Sequence, residues 1–239
     1  MSETAVDPKV VGPWIQPKHL EPESIRSYRE AFESHPARMI LIRDFLVESK
    51  AEKLSRFLRE EGEFRFEYGV YSKEDPVPED EWSQATDDDR FFRLGKLVGT
   101  PQQFQFSPNA LTYLQFRQTF QRPEFKALFE AISGMELGAS DDFGAHYMRA
   151  GDFLRPHNDD NRNRRLALVL YLSPEWDPSF GGELKMVDKH GAAHTIFPEF
   201  NSIVAFDTLA ETTHHIEAVQ PSAEDRARVT IGGWYHRPG

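Results

Sequence analysis

The chain contains no cysteine. Disulfides, thiolate zinc sites and cysteine-held iron–sulfur clusters are therefore excluded, and a reducing, cytoplasmic location is the expectation. Long apolar runs are also missing. Nothing approaches the roughly 18 consecutive apolar residues that a membrane span needs, and the start MSETAVDPKV lacks a basic segment followed by an apolar one, so no membrane association is expected. Basic clusters are scarce as well: 28 Lys and Arg stand against 39 Asp and Glu, for a formal net charge of −11. Such a balance argues against general binding to a phosphate backbone, and no nucleic-acid partner is expected. What is present is enough chain, 239 residues, for one large domain with a substantial core.

Residues 1–35 carry Pro8, Pro13, Pro17 and Pro22 among charged and small residues. They read as an N-terminal arm on the domain surface with a short helix near 23–32. The remainder, 36–239, reads as a single domain. Within it, 36–139 forms helical support: MILIRDFL suggests a strand, and Ala51, Leu54, Phe57 and Leu58 fall at helical spacing. FRFEYGVY alternates as a half-buried strand does. The acidic, proline-bearing stretch 72–90 has no periodicity and reads as a solvated loop or as a lid anchored by Trp82. Ser107 and Asn109 can cap a helix to about residue 120. Pro123 can open another, whose Phe125, Leu128, Phe129 and Ile132 share one face and which Gly134 ends.

From about residue 140 to 236 the pattern becomes short strands with turn punctuation, near 143–149, 165–172, 182–188, 193–197, 202–206, 214–219 and 227–236. That spacing predicts an α+β, mainly β, fold: a double-stranded β-helix, or jelly roll, flanked by the N-terminal helices. Leu166, Leu168, Leu170 and Leu172 share one strand face; Ala167, Val169 and Tyr171 share the other. Both faces should be buried, one under helices and one toward the barrel interior.

The chemistry centres on His157-Asn158-Asp159. In an extended segment His157 and Asp159 leave the same face and can converge on one metal ion, whereas Asp160 points the opposite way. A third ligand must come from elsewhere, and Thr213-His214-His215-Ile216 is the best source. Only one of His214 and His215 can face the metal. Two histidines and one carboxylate on one face of an octahedral ion are the arrangement of non-haem Fe(II) oxygenases.

The chain resembles the prolyl 4-hydroxylase-type branch of the Fe(II)/2-oxoglutarate-dependent dioxygenases over roughly residues 140–236. The resemblance rests on Tyr147 ahead of Gly151 with the later His157-x-Asp159, on Tyr171-Leu-Ser-Pro-Glu-Trp176, on Gly181-Gly182, on His214-x-Ile216, and on Arg228-Val-Thr230-Ile-Gly-Gly-Trp234. It implies His214 over His215 as the distal ligand, so that His157, Asp159 and His214 hold Fe(II). It implies Arg228, with Thr230 on the same face, as the clamp for the C5 carboxylate of 2-oxoglutarate, a role suited to a planar, permanently charged fork. Tyr147 and Tyr171 stand where related enzymes place tyrosines that hydrogen-bond 2-oxoglutarate.

The activity implied is hydroxylation of an unactivated C–H in a prolyl, peptidyl or amino-acid-type substrate. O2 is consumed, succinate and CO2 are released, and ascorbate is admitted as an accessory reductant. Arg155, Arg162 and Arg164, with Arg149 and Arg165 near them, are dense for so acidic a chain and are candidate contacts for an acidic part of the substrate. Other readings compatible with the residues are a catalytically silent 2-oxoglutarate- or partner-binding module, a natural-product oxygenase performing desaturation or cyclisation, and a cupin-like metalloenzyme that does not use 2-oxoglutarate. Fold alone does not choose among them.

Overall fold

The computed structural model describes residues 8–139, 142–160 and 163–239. Helices α1 (Pro8–Val11) and α2 (Pro22–Ser34) precede strand β1 (Met39–Ile42). Helix α3 (Glu48–Arg56) continues through a wider, π-helical turn over Phe57–Glu61 into β2 (Glu63–Val70). Then follow α4 (Glu79–Gln84), β3 (Arg90–Gly99), α5 (Pro108–Phe120) and α6 (Pro123–Ser133). The rest is strand: β4 (Phe143–Met148), β5 (Phe153–His157), β6 (Arg164–Tyr171), β7 (Leu184–Val187), β8 (Ala193–Ile196), β9 (Ser202–Asp207), β10 (Thr213–Ile216) and β11 (Arg228–His236).

All strand pairings among the described residues are antiparallel. The order β1-β9-β6-β11-β4-β3-β5-β10-β7-β8, with β2 on β3, bends into the nearly closed barrel of a double-stranded β-helix. Strand β6 shows why it must be a layered structure. Leu166, Leu168, Leu170 and Leu172 join the large core formed with the helices, where Phe32, Phe116, Phe125 and Phe129 also lie. Ala167 and Tyr171 turn into the barrel with Met186, Val204 and Phe206. A strand covered on both faces needs apolar residues at successive positions, and β6 has them.

Local chemistry starts and stops the supporting helices at the positions expected. The Ser107 hydroxyl accepts from the Ala110 amide, with Pro108 in the first turn of α5. Gly134, at φ 72°, closes α6 in the left-handed conformation. Among the described residues no helix is long and apolar enough to cross a membrane.

Three stretches differ from expectation. The N-terminal segment is not a surface arm, because Val11, Trp14, Ile15 and Phe32 are fully or almost fully buried in the main core. The stretch 72–90 contains α4, a helix its sequence does not announce, while Trp82 packs with Val70, Val77 and Phe153 as the expected anchor. Strand β3 was not apparent at all, since FFRLGKLVG neither alternates nor runs continuously apolar; pairing with β2, β4 and β5 decides its conformation.

Candidate active site

His157 ends β5 and His214 lies on β10, and the two are direct cross-strand partners. The antiparallel ladder therefore brings together two imidazoles far apart in sequence, with ring centroids 4.2 Å apart. Asp159, just beyond β5, places one carboxylate oxygen 3.8 Å from His157 Nε2 and the other 3.4 Å from His214 Nε2. One ligand atom from each of the three lies within 4.8 Å of the others, and this is the one such cluster of potential metal ligands among the described residues.

Other contacts prepare these groups for a metal. His157 Nδ1 lies 2.9 Å from the Arg155 carbonyl, so the Nδ1–H donates there and the Nε2 lone pair faces Asp159. Burial pushes His157 down to about 4, with the neighbouring His214 adding to the effect and Asp159 opposing it; the ring is neutral at pH 7, as a ligand must be. Burial works to raise Asp159, but His214, His157 and the Trp234 indole outweigh it and hold the carboxyl at about 2. Ligand atoms at adjacent corners of an octahedral first-row ion stand about 3 Å apart, given bonds near 2.1 Å. The separations found need to contract only slightly. Two imidazoles and a carboxylate with these spacings fit Fe(II).

His215 and Asp160 lie away from the cluster. His215 Nε2 is 3.4 Å from Glu217, and Asp160 pairs with Arg237.

The second part of the site is Arg228, only 2% exposed. Its Nε donates to the Gly182 carbonyl at 2.8 Å, and one terminal nitrogen faces the Met148 sulfur at 3.6 Å. No acidic side chain pairs with it among the described residues. Desolvation lowers its proton affinity, with Tyr171 acting the other way. A buried, unpaired guanidinium costs several kcal/mol, and a bound anion would relieve that cost. Tyr171 lies under it, with the guanidinium carbon 5.2 Å from the ring centroid. The Tyr171 hydroxyl is buried without a hydrogen-bond partner of good geometry, and burial raises its pKa. Thr230, 2% exposed, is paired with Tyr171 across β11 and β6. An unpaired cation, an unpaired phenol and a threonine inside one barrel fit the far carboxylate of 2-oxoglutarate.

Tyr147 is elsewhere. It packs on the outer face of β4 against Phe64 and Phe66, with ring centroids 5.1 and 6.4 Å away. Side chains alternate along a strand, so its neighbour Met148 points inward instead and meets Arg228. Arg155 pairs with Asp87 at 3.0 Å. Arg164 is turned inward: it donates to Asp159 Oδ1 at 3.1 Å and lies 3.3 Å from the centre of the Trp234 ring. Arg162 falls outside the described residues.

Sequence reasoning treated Trp234 only as a motif marker, yet it donates to Asp159. Its parity with Arg228 and Thr230 on β11 was the available signal. Beside the triad, Phe91 sets its ring edge against His157 at 5.5 Å and stacks on Tyr71 at 4.8 Å. Both line an open cleft of about 430 Å³ together with Lys73, Glu74 and Asp75.

Comparison with known proteins agrees with this geometry. Residues 143–236 match the family model described as the 2OG-Fe(II) oxygenase superfamily. A mouse protein named prolyl 3-hydroxylase OGFOD1 is 30% identical over 121 residues, which are 48% of this chain and 22% of that protein. An Ostreococcus tauri protein named prolyl 3,4-dihydroxylase OGFOD1 is 27% identical over 139 residues, 54% of this chain and 27% of that one. The chain thus spans about a quarter of the length of these curated relatives. Among solved structures, a Pseudomonas putida prolyl-4-hydroxylase superposes with a TM-score of 0.56 at 21% identity, covering 90% of this chain and 99% of the other. A Trichoplax adhaerens prolyl hydroxylase, solved with a hypoxia inducible factor peptide fragment, gives 0.60 at 14% identity, covering 90% of each. Through its barrel, residues 143–236, the chain is similar to the 2OG-Fe(II) oxygenase superfamily.

Proposed function

We propose that this protein is an Fe(II)- and 2-oxoglutarate-dependent hydroxylase of prolyl residues in a peptide or protein. The observation that carries the reading is the buried Arg228, without an acidic partner among the described residues, inside the barrel that bears the His157, Asp159 and His214 cluster. A metal alone would not require that guanidinium. A diacid chelating the metal at one end and presenting a carboxylate at the other explains both halves of the site.

Fe(II) with 2-oxoglutarate supplies the activation of O2 and the oxidising power when bound. The chain's own residues bind, orient and exclude water. His157, Asp159 and His214 would hold the ion, Arg228 and Tyr171 would hold the far carboxylate, and the apolar side chains Met186, Val204 and Phe206 line the barrel. Asp159 is held ionised and accepts hydrogen bonds from Arg164 and Trp234, so it serves as a ligand and not as a general base.

The cleft lined by Tyr71 and Phe91, the latter in edge contact with His157, supports a peptidyl substrate over a small free one. It is open to solvent, it offers the stacked Tyr71 and Phe91 rings as a surface for a proline ring, and it extends past charged residues that a backbone or flanking side chains could reach. The names of the relatives above point to the same substrate class. The test is a screen for succinate release with Fe(II) and 2-oxoglutarate over proline-containing peptides and free amino acids. Succinate formed together with a peptide heavier by one oxygen atom is the expected result. Succinate coupled only to a free amino acid or another small molecule would overturn the peptidyl assignment.

A further inference from the structure

One titratable side chain inside the barrel has no part in the site described so far. His146 lies on β4 between Thr230 of β11 and Lys96 of β3. Phe143, Ala145 and Tyr147 face the helical core, so alternation turns His146 and Met148 inward. Thr230 is in turn paired with Tyr171 on β6. One row across four neighbouring strands therefore reads Lys96, His146, Thr230 and Tyr171. The adjacent row carries Met148 opposite Arg228.

Lys96 is tied to Glu67 at 2.7 Å. His146 has no such partner: among the described residues neither ring nitrogen makes a hydrogen bond. Its side chain is only partly buried. Yet burial dominates its proton affinity, and with the Lys96 and Arg228 charges it lowers the pKa to about 4, Glu67 alone opposing. The ring is thus turned toward the barrel interior, largely desolvated but not sealed in. At pH 7 it is neutral, with one N–H to donate. An imidazole left without a partner in such a place is costly unless a ligand supplies one.

Arg228 explains which ligand group is suited to it. Its Nε is committed to the Gly182 carbonyl and one terminal nitrogen to the Met148 sulfur, so it cannot grip a carboxylate through the Nε side of its fork. A carboxylate has about four acceptor sites. The remaining sites need neutral donors, and Tyr171, Thr230 and His146 form a row beside the guanidinium.

We propose that His146 is a further cosubstrate-binding residue, donating its N–H to the C5 carboxylate of 2-oxoglutarate alongside Arg228 and Tyr171. This rests on the functional reading above. Binding of 2-oxoglutarate is measured by calorimetry on full-length protein loaded with Mn(II) in place of Fe(II), with Mn(II) affinity measured separately. His146→Leu is expected to weaken 2-oxoglutarate about tenfold with Mn(II) affinity unchanged, and His146→Gln, which keeps a donor, to remain within about threefold of the original. Unchanged 2-oxoglutarate affinity in His146→Leu overturns the proposal, as does equal weakening of metal and cosubstrate.

Should His146→Leu not fold, the ring nitrogens of His146 in the unaltered protein are followed by NMR. A shift of one nitrogen on adding 2-oxoglutarate to protein loaded with a diamagnetic metal such as Zn(II) supports the contact, and no shift overturns it. Failure of the unaltered protein to bind 2-oxoglutarate with any metal is a different result, and it removes the hydroxylase reading itself.

Discussion

Trp234 donates its indole N–H to Asp159 at 2.9 Å, on the oxygen that faces His214. The other oxygen, facing His157, receives Arg164 at 3.1 Å, and the Arg164 guanidinium carbon lies over the Trp234 ring, 3.3 Å from its centre. One stacked pair thus holds both ends of one carboxylate. That restrains its rotation and keeps it ionised while leaving lone pairs for a metal. Trp234→Phe keeps the stack and removes the donor; Arg164→Leu removes the charge and the stack. Each is expected to weaken Fe(II) or Co(II) binding about tenfold. Anaerobic metal titration checks this, and unchanged affinity in both variants would mean that the carboxylate is positioned by its backbone alone.

Tyr147 and Tyr171 should separate cleanly. Tyr171→Phe deletes a buried, unpartnered hydroxyl facing Arg228 and is expected to weaken 2-oxoglutarate binding about ten- to a hundredfold, since a hydrogen bond to a charged group contributes about 1.5–3 kcal/mol. Tyr147→Phe, on the outer face of β4, should leave that affinity unchanged. Calorimetry with 2-oxoglutarate on the metal-loaded variants measures both.

Gly182 stands at φ +75°, and a Cβ there would lie 2.9 Å from Arg228 Cδ. Gly182→Ala therefore adds backbone strain of about 1 kcal/mol and pushes the clamp off its position. The expected outcome is a modest loss of thermal stability and weaker 2-oxoglutarate binding, with metal affinity retained.

The metal-free protein should lose stability as pH falls from about 6.5 to about 4. His146 has a depressed pKa in the folded chain, so the unfolded chain binds the proton more readily across that window. Stability from this group is fully present above the unfolded value and is lost on acidification. Lys96 and Arg228 sharpen the effect and Glu67 blunts it, for a contribution of at most about 3 kcal/mol. His157, also held at about 4 by burial, contributes over the same window, so denaturant unfolding at a series of pH values measures the combined slope and His146→Leu should reduce it by about half.

Much of the site was legible because its signals are local. The i, i+2 spacing of His157 and Asp159 fixes a shared face, the doubly apolar β6 announces a covered strand, and the parity of Arg228 and Thr230 on β11 places them together. What escaped was set by tertiary register. Tyr147 and Met148 differ by one position, and only the pairing of β4 with β11 says which of them faces Arg228. Arg164 reads as one of several loop arginines until β6 is placed beside β11 and its guanidinium meets Trp234. His146 has no sequence partner, and it acquires one only as a row across four strands.

The most direct test of the account is anaerobic binding of 2-oxoglutarate to the Fe(II)-loaded protein and to its Arg228→Leu variant, followed by the visible charge-transfer absorption of the ternary complex. The account predicts that the unaltered protein develops the band on adding 2-oxoglutarate and that the variant, still binding Fe(II), needs at least about a hundredfold more cosubstrate to do so. Equal cosubstrate affinity in the two proteins would contradict it.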